Sequence, residues 1–92
     1  MEQASVHDNR ELQRYELSVD GQVVFANYRR QPGRLVITHV EAPPILRGTG
    51  AAGRLMQGML EHARVEGVRV LPLCSYARAW MQRHPEFKDL AI

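Results

Sequence analysis

From Arg14 to Val19 apolar and polar residues alternate, with Tyr15, Leu17 and Val19 set against Arg14, Glu16 and Ser18. Period two over six residues predicts a half-buried strand. Asp20-Gly21 follows, a pair that favours a tight hairpin turn. A second strand is expected over Gln22 to Arg29, rich in Val, Phe and Tyr, and Arg30-Gln31-Pro32-Gly33 closes it with a turn. A third runs from Arg34 to about Glu41. Its Leu35-Val36-Ile37 run is apolar at both parities, as a strand covered on both faces requires.

Pro43-Pro44 stop that strand, and a glycine-rich turn leads into a segment of different period. Ala52, Leu55, Met56, Met59, Leu60 and Ala63 recur at helical spacing and form one stripe. Arg54, Gln57, Glu61, His62 and Arg64 take the other side, and Gly67 stands where a helix C-terminus wants glycine. Val68 to Leu73 reads as a short strand, parallel to the one before the helix because a helix separates them. Ser75 is a plausible N-cap for a second helix, with Ala77, Trp80, Met81 and His84 on one face and Pro85 beyond its end. Glu86 to Ile92 is expected as a loop or short strand. Met1 to Asn9 are polar without period and are read as a flexible tail before a single domain over residues 10–92. The order is β-β-β-α-β-α. It predicts an α+β fold, a mixed sheet whose N-terminal part is an antiparallel meander with helices packed on it.

Ninety-two residues allow one domain, and 45% hydrophobic with 24% charged residues is the balance of a globular chain. No apolar run is long enough for a membrane span, and the N-terminus has no apolar signal region, so a cytoplasmic protein without a membrane partner is expected. A single cysteine excludes an internal disulfide, and no Cys/His set has zinc spacing, so no metal is expected. The net charge of +2 comes from arginines spread over the chain without interleaved aromatics, which argues against nucleic acid. It does suit a phosphate-rich cofactor.

The turn between the third strand and the first helix carries the chemistry. The first N–H groups of a helix lack partners within it, the helix dipole adds positive potential there, and glycine lets a phosphate come close. Gly48, Thr49, Gly50, Ala51, Ala52 and Gly53 are therefore candidate anion-binding residues, with Arg47 as a cation. An ordinary strand-to-helix turn would carry the same glycines. Arg47, Gly50 and Ala52 also fill the fixed positions of the Arg/Gln-x-x-Gly-x-Gly/Ala signature of the GNAT superfamily of acyl-CoA-dependent N-acetyltransferases. With Thr38-His39-Val40-Glu41-Ala42-Pro43-Pro44, Pro72-Leu73-Cys74 and Arg83-His84-Pro85-Glu86-Phe87 in order, the chain resembles the small YjdJ-type branch of that superfamily over roughly residues 14–90.

The resemblance implies acetyl-CoA as cofactor, with its pyrophosphate on the Gly48–Gly53 turn. The acyl arm would lie in a gap between the strand ending at Glu41 and the strand ending at Cys74. It implies acetyl transfer to an amine, on a small molecule or a protein, by a monomer or weak homodimer. A typical member is longer, and the N-terminal helices that wall its acceptor site have no counterpart here. A non-catalytic CoA-binding module that acts through a protein partner is the alternative. Amine acetylation needs a neutral amine, a donor for the carbonyl oxygen and a proton for the leaving thiolate. Glu41 or His39 could serve as base; two apart on a strand, they share a side. Either would look the same as a solvent-facing strand-end residue. Cys74 stands at a strand-to-helix junction, where a helix N-terminus favours a thiolate. It is a candidate nucleophile or a neighbour of the CoA sulfur; as a small buried apolar residue it would look no different. Tyr76 could supply a proton, and Arg83 could reach a CoA phosphate.

Overall fold

A computed structural model describes residues 5–92. Its sheet has five strands in sequential order: β1 (Val6–Asn9), β2 (Arg14–Val19), β3 (Gln22–Gln31), β4 (Arg34–Glu41) and β5 (Arg69–Pro72). The first four pair antiparallel and β5 joins β4 in parallel. Helix α1 (Ala51–Glu66) connects β4 to β5, and α2 (Ser75–Arg83) follows. The α+β class, the meander and the parallel β4–β5 pair are as the sequence predicts, with one strand more at the N-terminus.

That strand corrects the reading of residues 1–9 as a tail. Met1 to Ala4 lie outside the described residues; Val6 to Asn9 form β1. No hydrophobic period announces β1, because polar side chains hold it. The Tyr28 hydroxyl donates to Asp8 Oδ1, and the Arg30 guanidinium reaches Asp8 Oδ2 at 2.9 Å. Asn9 bonds the Glu16 carboxylate at 3.2 Å and accepts from the Leu12 N–H at 3.1 Å. Arg30 also pairs with Glu66 at 3.2 Å, which ties β3 to the end of α1.

The Asp20-Gly21 turn adopts the expected form. Both residues have positive φ, +50° and +78°, which match the twist of the flanking strands. One face of the sheet then contributes Tyr15, Leu17, Val24, Ala26, Tyr28, Leu35, Ile37 and Val70 to the core. Leu55, Met56, Met59 and Leu60 of α1 are fully buried against it, and Ala77, Trp80 and Met81 of α2 join the same cluster. Each large side chain so buried contributes roughly 1.5–3 kcal/mol. Cys74, not Ser75, is the N-cap of α2, and no side chain closes the cap. Pro85–Leu90 forms a 3-10 helix, and Ala91 bridges to Val70.

β1 lies against α1 at Gly58. A Cβ placed there would come within 2.3 Å of Val6 Cγ2. Gly58→Ala gains about 1 kcal/mol of helix propensity, but overpacking of this kind costs about 1–3 kcal/mol. We expect a net loss of stability in thermal melts, with faster amide exchange confined to β1. Val6→Ala on the same background should recover part of the loss.

Candidate functional cleft between strand edge and helix turn

The sheet opens at one place. β4 and β5 pair only from Arg34–Arg69 to Ile37–Pro72. At the end of that pairing the Ile37 carbonyl accepts from both Leu73 and Cys74, at 3.0 and 3.3 Å, and the chains then part. β4 continues to Glu41 with β3 as its partner.

A bulge sits at the fork. Asn27 pairs with His39 but Tyr28 pairs with Ile37, so Thr38 is the extra residue, and its hydroxyl donates to the Asn27 carbonyl at 3.3 Å. A bulge inverts the alternation of the residues beyond it. Without it, His39 and Glu41 would follow Leu35 and Ile37 into the core. With it, Val40 and Ala42 turn inward and pack on the core, while His39 and Glu41 emerge on the opposite face.

The same register decides where the Val40 main chain points. The Tyr28 N–H donates to Gln13, so Tyr28 faces β2. Alternation turns Asn27 and Phe25 to β4, and their partners His39 and Glu41 face β3 in return. Val40, opposite Ala26, therefore presents its N–H and C=O to the gap left by β5.

Beyond Glu41 the chain makes a short 3-10 turn at Pro44–Leu46 and reaches α1 through two left-handed glycines, Gly48 at φ +80° and Gly50 at φ +85°. Thr49 pins this turn. Its hydroxyl donates to the Leu46 carbonyl at 2.6 Å and accepts from the Ala51 N–H at 3.3 Å. Among the described residues the N–H groups of Gly48, Gly50, Ala52 and Gly53 find no acceptor. Arg47 is exposed and spends its Nε on the Ala42 carbonyl at 3.3 Å.

Val40 of β4, Ala42 just beyond it, Leu46, Arg47, Gly48, Gly50, the first residues of α1 (Ala51, Ala52 and Gly53) and Tyr76 of α2 line one cleft of about 430 Å³. It has an open strand edge on one side and free N–H groups on the other. Burial pushes the Tyr76 hydroxyl above the usual tyrosine range, Arg83 pulls it back, and the nearby Cys74 adds to the rise. At neutral pH it is a proton donor.

Most of the candidates for the phosphate turn line this cleft: Arg47, Gly48, Gly50, Ala51, Ala52 and Gly53, with Thr49 holding the turn from behind. Arg83 is exposed near the end of α2 and does not line it. His39 and Glu41 are brought together, Nε2 to Oε1 at 2.9 Å, and both are about half exposed. They stand on the far face of the gap, beside Phe25. Cys74 stands at the fork, half-buried and packed on the core, and contributes no side chain to the cleft lining. Val40, Ala42 and Leu46 are the lining residues that the sequence reading passed over. The signal for the first two is a change of parity: the inward apolar positions are odd at Leu35 and Ile37 and even at Val40 and Ala42.

Comparison with known proteins adds a family and a fold. Residues 14–90 match the family model described as GCN5-related N-acetyl-transferase. Among solved structures the chain is similar to the NMR solution structure of a GCN5-like protein from Staphylococcus aureus, with a TM-score of 0.76 over the whole of this chain and 91% of that one. The two are 19% identical, so the likeness is one of fold.

Proposed function

The chain belongs to the GCN5-related N-acetyltransferase family, and from that premise we propose that it binds acetyl-CoA in the cleft between β4 and α1 and transfers the acetyl group to an amine, in the cytoplasm. The observation that carries this reading is the cleft itself. It joins an unpaired strand edge at Val40 to the free N–H groups of Gly48, Gly50, Ala52 and Gly53. An anion such as the CoA pyrophosphate is stabilised on those N–H groups, with the helix dipole behind them. Arg47 adds a cation at the mouth. The amide-bearing arm then runs along the Val40 edge as an added strand does. This leads the thioester to the fork where β4 and β5 part.

We assign a residue to each chemical need. The Val40 N–H faces the gap and is suited to receive the negative charge that develops on the carbonyl oxygen. Tyr76, held protonated by burial, supplies a proton to the departing CoA thiolate. Cys74 borders the fork as the nucleophile of a two-step route. Glu41, with His39 against it, stands on the face from which an amine can reach the gap, and takes the amine proton.

One observation favours a second reading, a CoA-binding module that acts through a protein partner. His39 and Glu41 open to solvent, with side chains 53% and 54% exposed, and no acceptor pocket closes over them among the described residues. Calorimetry with acetyl-CoA, CoA and a plain nucleotide tests the part both readings share. Both CoA species should bind, and acetyl-CoA should raise the melting temperature by mass action. Arg47→Ala should weaken binding about tenfold or more, as loss of a charge-assisted bond does, and leave the melt of the free protein unchanged. Binding of the plain nucleotide as tight as that of CoA would reduce the site to a bare anion turn. Turnover of an amine then separates enzyme from module.

A further inference from the structure

A groove of about 710 Å³ lies away from the CoA cleft, at the outer edge of β5. Leu71 and Leu73, Met81 of α2 and Ile92 give its lining apolar surface, and Arg78 and Lys88 line it too. Leu73 and Ile92 are 54% and 51% exposed, large apolar side chains left in water. No acidic side chain lines the groove.

Its two cations are not neutralised by a neighbouring carboxylate, as four others on the molecule are. Arg10, Arg14, Arg30 and Arg64 each pair with a carboxylate. Arg78 and Lys88 make no ion pair and no side-chain hydrogen bond among the described residues. Asp89, next to Lys88, is held by Arg64 at 2.6 Å. The groove therefore presents apolar surface with two unneutralised positive charges.

The backbone adds a third feature. Leu73 donates to β4, and Ile92 donates to the Val70 carbonyl at 3.0 Å on the opposite edge. Alternation then turns the Pro72 carbonyl outward as well, one rung further along, where an added strand can donate to it. A lipid has no N–H for that position; a peptide does. A second copy of this chain would bring the same two cations against these two.

We propose that this groove binds an extended segment of a partner protein in which leucine-like side chains alternate with Asp or Glu. The apolar residues fill the space between Leu73, Met81 and Ile92, the carboxylates meet Arg78 and Lys88, and a peptide N–H meets the Pro72 carbonyl. The surface is separate from the CoA cleft, so the proposal holds whether or not the cleft binds CoA.

Fluorescence polarisation tests it with three probes: a labelled peptide of alternating leucine and glutamate, the same peptide with lysine for glutamate, and labelled decanoate. The full chain should bind the leucine–glutamate peptide, and more weakly as salt rises. Amide shifts should centre on Leu73, Met81 and Ile92. The Arg78→Glu/Lys88→Glu double variant changes exposed side chains and should melt as the wild type does. It should weaken that peptide at least fivefold and bind the lysine peptide better than wild type does. No binding of the leucine–glutamate peptide, equal binding of both peptides, or tighter binding of decanoate overturns the proposal.

Discussion

Gly50→Val should abolish acetyl-CoA binding in a protein that still folds. Gly50 is the N-cap of α1 at φ +85°, a conformation that a β-branched residue adopts only with strain of about 1–3 kcal/mol. The strain does not come from neighbours, since a Cβ at Gly50 meets no atom within 4 Å. That open space is cleft, and a valine side chain would project where a phosphate must approach the free N–H groups. Relaxing the strain would also turn the Gly50 and Ala52 N–H groups away from a common point. Two charge-assisted bonds lost together weaken binding about a hundredfold or more. Gly67→Val supplies the control. Gly67 ends α1 at φ +76°, equally free of neighbours and far from the cleft. It should show a similar drop in melting temperature with binding intact. Calorimetry on both variants decides the matter. If Gly50→Val binds acetyl-CoA as the wild type does, the pyrophosphate lies elsewhere.

What the sequence made legible was whatever local chemistry dictates. Asp20-Gly21 had to turn, since few other pairs accept two positive φ angles. The stripe from Leu55 to Ala63 had to be a helix with a buried side. Leu35-Val36-Ile37, apolar at both parities, is indeed the central part of the sheet, with β3 on one flank and β5 on the other. What stayed hidden was set by contacts distant in the chain. β1 is a strand because Tyr28 and Arg30, twenty residues on, hold Asp8. No window of local hydropathy contains that information. Of the candidate site, the turn into α1 was readable because glycine and helix spacing mark it directly. The strand edge was half readable. His39 and Glu41 do share a side, but a single inserted residue at Thr38 decides which side. Tyr76 and Cys74 are two apart near the start of α2 and both pack on the core, yet only the tyrosine lines the cleft. That division depends on how α2 leaves the fork, a tertiary matter.

Wild-type protein incubated with acetyl-CoA should become heavier by one acetyl group, and hydroxylamine should remove it. Cys74 is the residue at stake. Its N–H is bonded to the Ile37 carbonyl at the point where β4 and β5 part, so it borders the fork toward which the cleft leads the thioester. On this route the sulfur of Cys74 would form a bond to the acetyl carbon as the bond to the CoA sulfur breaks. The thiol proton would end on CoA, directly or by way of Tyr76. One thioester would replace another, so the exchange would cost little free energy, and an amine would then complete the transfer. The Cys74 side chain packs on the core and would have to turn about its own Cα–Cβ bond to reach the gap, a rotamer change of modest cost. Cys74→Ala should bind acetyl-CoA with wild-type affinity and never carry the label. Cys74→Ser should behave the same way, since a hydroxyl has no comparable anion at neutral pH. Intact masses of the three proteins give the answer. If the wild type stays unlabelled while an amine is still acetylated, transfer is direct from CoA to amine. The weight then falls on the other face of the gap. Glu41→Gln should depress turnover with little change in acetyl-CoA binding, because the Glu41 side chain is solvent-exposed and does not line the cleft between β4 and α1.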